Sequence, residues 1–191
     1  FMMLPFVYSI VQSFKPTEEI FVYPPKFFVR NPTTENYRTL SQLTDSLWIP
    51  FDRYLVNSVI VTVIGTGANL VFSSMAAFVL AKYSFPGHKW MFKLVVTALL
   101  FSGPVTALPQ YIIMSRLGLI NTLWAVIIPA AGTPLGLFLM KNFMTQIPDT
   151  MLEAATIDGA GIFTTFYKIC MPLVKPAVLT LIIFSFQGLW N

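Results

Sequence analysis

The sequence predicts an all-α, polytopic membrane protein, and three observations carry that reading. Hydrophobic residues make up 55% of the 191 and charged residues only 10%, with a mean hydropathy of +0.70. Soluble domains carry about 25% charged residues, so too few charges remain here to cover a water-exposed surface, and lipid must act as the solvent. The uncharged runs 54–81, 94–115 and 117–140 each reach the roughly 20 residues that a helix needs to cross a bilayer core. The Lys and Arg residues are scattered between these apolar stretches.

The elements follow in order. The apolar stretch 1–14 is too short to cross and reads as the end of a first transmembrane helix. It does not read as a signal peptide, because residue 1 is Phe and no basic n-region precedes it. Residues 15–53 form an external loop rich in Pro and charge, with Pro24-Pro25, Asn31-Pro32 and a short helix over 34–46. Residues 54–81 give the clearest transmembrane helix. The next span, 91–115, holds Pro104 and Pro109, and membrane helices tolerate such prolines where neighbours satisfy the freed carbonyls, so a kinked or broken span is expected. Gly118 and Asn121 suit a tight turn before a third complete span at 122–144. There Gly132 and Gly136 supply a small-xxx-small face, with Pro134 between them as a local kink. A loop over 146–172 precedes 176–191, the start of another transmembrane helix that runs out at Asn191.

Composition also removes function classes. The net charge of +4 is not gathered into a basic run or an aromatic-basic platform, which excludes a nucleic-acid partner; the anionic cytoplasmic leaflet is the fitting partner for those cations. A single cysteine, Cys170, leaves no internal disulfide, and with a single histidine, His88, no zinc-type cluster can be assembled. No acid lies within a complete span, unlike the ionisable mid-membrane sites of ion-coupled secondary transporters. An intramembrane enzyme lacks its nucleophile-base pair or metal cluster there as well.

Counting Lys and Arg does not separate the two sides. The short loop 82–93, however, holds Lys82, Lys89 and Lys93 and no acid, whereas 15–53 balances its cations with Glu18, Glu19, Glu35, Asp45 and Asp52. Short loops near span ends set orientation, so 82–93 and 141–175 are expected on the cytoplasmic side.

The loop 146–172 carries the motif. Thr150 and Glu153 have capping-box spacing behind a Pro148-Asp149 start, which predicts a short helix. Gly159 and Gly161 offer the left-handed or close-approach positions that end it. A second short helix over 162–170 precedes Pro172 and Pro176. The order Glu153-Ala154-Ala155, three residues, Gly159, nine residues, Ile169, one residue and then Met171-Pro172 is similar to the EAA loop of ABC importer permeases, with Met171 where the family has Leu. That exchange keeps the apolar bulk. The outer segment from Lys15-Pro16 through Pro24-Pro25-Lys26, Asn31-Pro32-Thr33 and Glu35-Asn36-Tyr37, together with Tyr83-Ser84-Phe85-Pro86-Gly87 and Trp190-Asn191, resembles the carbohydrate-uptake, maltose-type branch of that family.

The resemblance implies a type I importer permease fold in the cytoplasmic or inner membrane. Within it, Glu153, Ala154, Ala155, Asp158, Gly159, Gly161, Ile169 and Pro172 would form a coupling segment seated on a separate ATPase. It further implies a second permease subunit, a cytoplasmic ABC ATPase dimer that binds the ATP and Mg, an extracytoplasmic sugar-binding protein, and no cofactor or catalysis on this chain. Part of the first, part of the fifth and all of the sixth family helix would lie beyond the sequence. Read locally, Glu153 could instead only complete its own cap and Asp158-Gly159 be an ordinary turn. Permeases for peptides, amino acids or oxyanions share the architecture and stay open.

Polar groups inside a span are costly and mark candidate solute routes. Thr62, Gly65, Thr66, Asn69 and Ser73 recur at three- and four-residue steps, which puts them on one helix face. Asn69, Gln110 and Gln187 are the substrate-path candidates, since neutral amides suit an uncharged sugar. Helix-on-helix packing is the competing explanation for the Asn69 stripe.

Overall fold

The computed structural model describes residues 2–24, 26–45, 51–101 and 103–190. Phe1, Pro25, Ser46 and Asn191, which entered the expectations above, lie outside the described residues. The described residues are helical with turns and contain no strand. They fall into two compact units, Phe1–Val56 and Asn57–Asn191.

In the first unit, α1 (Leu4–Ser13) carries Pro5 in its first turn, where the missing N–H has no helical partner to lose. Two short helices follow, α2 (Thr17–Ile20) and α3 (Glu35–Asp45). The polar segment closes on itself through hydrogen bonds. Asn36 Nδ2 donates to the carbonyls of Ser13 (3.0 Å) and Lys15 (2.6 Å), the backbone N–H of Arg30 donates to Glu19 (3.0 Å), and buried Lys15 donates to the Lys26 carbonyl.

α4 (Phe51–Lys82) runs for 32 residues, beginning ahead of the uncharged run because Asp52 in its first turn suits the helix N-terminus. Beyond the turn at Gly87, α5 (His88–Ala98) and α6 (Gly103–Arg116) are separate helices bent by more than 40°. Pro104 sits in the first turn of α6, where it is tolerated, while Pro109 lies inside it. α6 ends in a Schellman turn: Gly118 has φ +69°, its N–H donates to Ser115, and the Leu119 N–H reaches back to Met114 at 3.0 Å. α7 (Trp124–Ala130) and α8 (Pro134–Thr145) share one candidate span of 22 residues. Between them Thr133 is extended, with ψ 132°, because the residue before a proline is pushed out of the helical region.

Gly132 and Gly136 do not share the packing role their spacing predicts. A Cβ on Gly136 would lie 2.6 Å from Ser73 Oγ and 2.9 Å from Asn69 Oδ1, whereas one on Gly132 would meet nothing within 4 Å. Only Gly136 brings α8 close to α4. Gly136→Val is therefore expected to destabilise the bundle by about 1–3 kcal/mol through overpacking, read as a lower thermal midpoint of the detergent-purified protein, while Gly132→Ala leaves it unchanged.

α9 (Asp149–Ile157) follows α8. A longer helical stretch then runs through α10 (Ile162–Thr164), a π-helical segment over Thr165–Cys170 and α11 (Met171–Leu173). α12 (Lys175–Leu189) leaves this stretch at a bend of 79°. The core of the unit joins Ala77 and Phe78 of α4, Met140 and Met144 of α8, and Phe166, Cys170, Val174, Ala177 and Leu181 of the later helices. Most large apolar side chains on α4, α6 and α12 stay exposed on the isolated chain, the condition of helices whose outer faces meet lipid or neighbouring subunits.

Candidate functional site

The sequence places its motif on α9 and the helical stretch after it, and the structure builds that region from the start of α9. Pro148, with φ −61° and ψ 135°, is the N-cap, and no side chain caps the helix. The capping box expected from Thr150 and Glu153 does not form, because the helix starts at Asp149 and Thr150 is already its second residue. What fixes the start instead is Lys82, the last residue of α4. Its ammonium donates to the carbonyl of Ile147 and, at 2.7 Å, to Asp149 Oδ1. The Lys82 side chain is 3% exposed and Asp149 77% exposed, so the cation is seated in the protein and the carboxylate sits at its rim. An acid in the first helical turn is also favoured by the helix dipole.

With no cap to complete, Glu153 is exposed, and among the described residues it has neither an ion-pair nor a hydrogen-bond partner. Ala154 beside it is exposed as well, whereas Ala155 is buried and belongs to the supporting face. α9 ends through Asp158 and Gly159. Gly159 adopts φ +80°, its N–H donates to Thr156 at 3.0 Å, and the Ala160 N–H reaches the Ala155 carbonyl at 2.9 Å, a Schellman closure that favours glycine. Gly161 departs from the expectation: it is extended, at φ −72° and ψ 166°, and serves as N-cap of the next helix. Thr165 returns both its N–H (3.0 Å) and its hydroxyl (3.2 Å) to the Gly161 carbonyl.

The second arm carries Ile169, half-buried, and Pro172, exposed. Its inner side packs on the end of α4, where the rings of Phe78 and Phe166 stand 5.3 Å apart, a contact worth about 0.5–1.5 kcal/mol beyond its buried area. Cys170 is free and fully buried there. A buried thiol is inert, so maleimide is expected to label it in denaturant and not in the folded protein. Lys82, Phe78, Tyr83, Asp149, Glu153 and Thr156 line an open cavity of about 710 Å³ beside α9.

The three substrate-path candidates are not brought to one place. Asn69, 1% exposed, is a hub: Nδ2 donates to Ser185 Oγ at 2.7 Å, and Oδ1 accepts from Ser73 (2.9 Å) and Thr133 (3.0 Å). It thus joins α4, the break before α8, and α12. Gln110 is exposed on α6 and lines a different cavity with Thr106 and Asn121, while Gln187 is exposed on α12. The hydroxyls of Thr62 and Thr66 are buried without a hydrogen-bond partner among the described residues. No cluster of three or more metal-ligating side chains occurs among the described residues.

Sequence reasoning treated Lys82 only as part of a charge bias. Its position directly after the uncharged run, at the end of a helix, was the available signal, but its partner lies 67 residues away.

Comparison with known proteins places the chain. Residues 56–191 match the family described as binding-protein-dependent transport system inner membrane component. The chain is 35% identical to the protein LplC of Bacillus subtilis (strain 168), over 98% of this chain and 61% of that protein. It is 36% identical to the polygalacturonan/rhamnogalacturonan transport system permease protein YtcP of the same organism, over 98% of this chain and 63% of that protein. It therefore spans less than two thirds of the length of either relative. A crystal structure of a bacterial ABC transporter involved in the import of the acidic polysaccharide alginate has the same fold, at a TM-score of 0.81 and 22% identity, covering all of this chain and 65% of that one. The all-helical architecture is thus that of an importer permease, and the chain belongs to the binding-protein-dependent inner membrane components, the permeases of ABC transporters.

Proposed function

We propose that this chain is the greater part of a permease subunit of an ATP-driven importer for sugars or oligosaccharides, and that α9 and the arm after it are its coupling element. The carrying observation is Glu153: an exposed carboxylate without a partner among the described residues, beside exposed Ala154, on a short helix whose two ends are fixed by Lys82 and by the Gly159 turn. Small neighbours allow close approach, and a carboxylate offered from a rigid knob fits a basic group on another protein.

In this reading the segments 82–93 and 141–175 face the cytoplasm, as the positive-inside rule orients them, and the subunit is multi-pass in the cell membrane. The partner that grips α9 is a dimeric ATPase, which binds ATP and Mg and carries out hydrolysis. A second permease completes the pore, and an external sugar-binding protein delivers the solute. Closure of the ATPase moves α9, and through the core around Phe78 and Met144 shifts the helices between inward- and outward-facing states, a population shift driven by differential binding. The sugar assignment rests on the polysaccharide transport of the YtcP relative and on the outer-segment resemblance. The hub around Asn69 uses that amide for helix packing, so Gln110 and Gln187 are the freer candidates for meeting solute.

The test is uptake by cells lacking the full-length subunit and complemented with it, alongside its ATPase and binding protein, against a panel of labelled oligosaccharides, peptides, amino acids and oxyanions. ATP-dependent uptake confined to oligosaccharides is expected. Uptake of another class alone overturns the sugar assignment, and uptake that persists after ATP depletion overturns the importer reading.

A further inference from the structure

We infer that Lys82 is a positioning residue for coupling: its ammonium is the link through which displacement of α9 is passed to the end of α4. The inference rests on the proposed role of α9 and adds to it the element that receives the motion.

The geometry supports this in three ways. Lys82 is the C-terminal residue of α4, the 32-residue helix that is the longest candidate span, so a push on its ammonium acts on the end of that helix. It holds two successive features of the α9 entrance, the Ile147 carbonyl and the Asp149 carboxylate. The intervening residue is Pro148, whose fixed φ leaves little freedom between the two points. Finally, the Lys82 side chain that carries the ammonium is almost fully buried, at 3% exposure. Withdrawing it from these oxygens without replacement would leave a desolvated cation, so α4 must follow α9 or the cation must find water. The apolar contact between Phe78 and Phe166 joins the second arm to the same end of α4, but non-directional packing can slide, whereas a charge-assisted hydrogen bond fixes direction and distance.

The two partners should contribute unequally. Asp149 is 77% exposed, and exposed ion pairs are weak, so most of the linkage lies in the buried cation and the Ile147 carbonyl.

The experiment reconstitutes the full-length subunit in its complete transporter in proteoliposomes and measures solute taken up per ATP hydrolysed by the assembled complex. Lys82→Met is expected to lower that ratio by about tenfold or more, the scale of one lost hydrogen bond to a charged group, while ATP hydrolysis continues. Lys82→Arg, which keeps the cation and its donors, is expected to retain most of the ratio, and Asp149→Asn to lower it about twofold, as befits a weak exposed pair. A merely structural role would reduce the amount of assembled complex and leave the ratio per complex unmoved, and that result overturns the inference. Should Lys82→Met fail to assemble, Lys82→Gln is measured instead; it keeps a neutral donor for the Ile147 carbonyl, and a ratio equal to that of Lys82→Arg overturns the inference. Glu153→Lys, measured beside these, separates the two levels. If it uncouples while the Lys82 variants do not, only the linkage fails; if it has no effect either, the coupling role of α9 fails with it.

Discussion

A full-length subunit carrying Glu153→Lys is expected to insert normally and to lose transport. Insertion and folding are spared because Glu153 is exposed and has no partner within the described chain, and surface substitutions away from caps and ion pairs usually change stability by less than about 0.5 kcal/mol. The loss falls on the contact. Reversing a charge at a complementary, desolvated position costs about 2–5 kcal/mol, equivalent to roughly 30- to 4,000-fold weaker engagement of the ATPase. Co-purification of the ATPase with the variant, against the unmodified subunit at equal membrane abundance, reads this directly. Retention of both partner and uptake would leave Glu153 as an ordinary surface carboxylate.

Gly159→Pro is expected to have an effect of similar size by a different route. Gly159 sits at φ +80° and donates its N–H to Thr156 at 3.0 Å. Proline holds φ near −65° and has no N–H, so the turn cannot close, and the two arms lose their fixed angle at a cost of about 3 kcal/mol or more. Nothing lies within 4 Å of a Cβ at this position, so Gly159→Ala bears only the backbone strain of about 1–2 kcal/mol, and Gly159→Asn, tolerated in the left-handed region, less still. Uptake at equal membrane abundance should fall in the order Gly, Asn, Ala, Pro. Equal uptake by the alanine and proline variants would show that the angle between the arms does not matter.

How much of this was legible in the sequence follows from the range of the interactions involved. Local signals were read well: Gly159 takes the left-handed turn, Gly118 closes α6, and Pro134 starts a helix after a break. Charge content and run length put spans at 54–81 and 122–144, where the structure has α4 over 51–82 and the pair α7 and α8 over 124–145. The motif itself was visible as a spacing. What escaped was long-range. The capping box failed because Lys82, distant in sequence, holds the entrance of α9, and a two-residue shift of the N-cap, from Thr150 to Pro148, takes Thr150 out of the cap position. Gly132 and Gly136 look equivalent in a four-residue repeat, yet only one faces the Asn69 hub. For Asn69 the sequence offered helix packing beside solute contact, and its packing partners Ser185 and Thr133, 116 and 64 residues away, could not be read from spacing.

The central claim, that α9 is gripped by a cytoplasmic ATPase, is tested most directly by site-specific crosslinking in the assembled transporter. Ala154 is exposed beside Glu153, and buried Cys170 leaves a cysteine at position 154 as the reactive thiol of the described residues. Oxidation of Ala154→Cys against cysteines introduced around the ATPase surface is expected to give a disulfide at one cleft, formed in membranes and altered when ATP closes the dimer. Labelling of that cysteine by an impermeant maleimide added outside intact cells, with no crosslink to any ATPase position, would contradict the account.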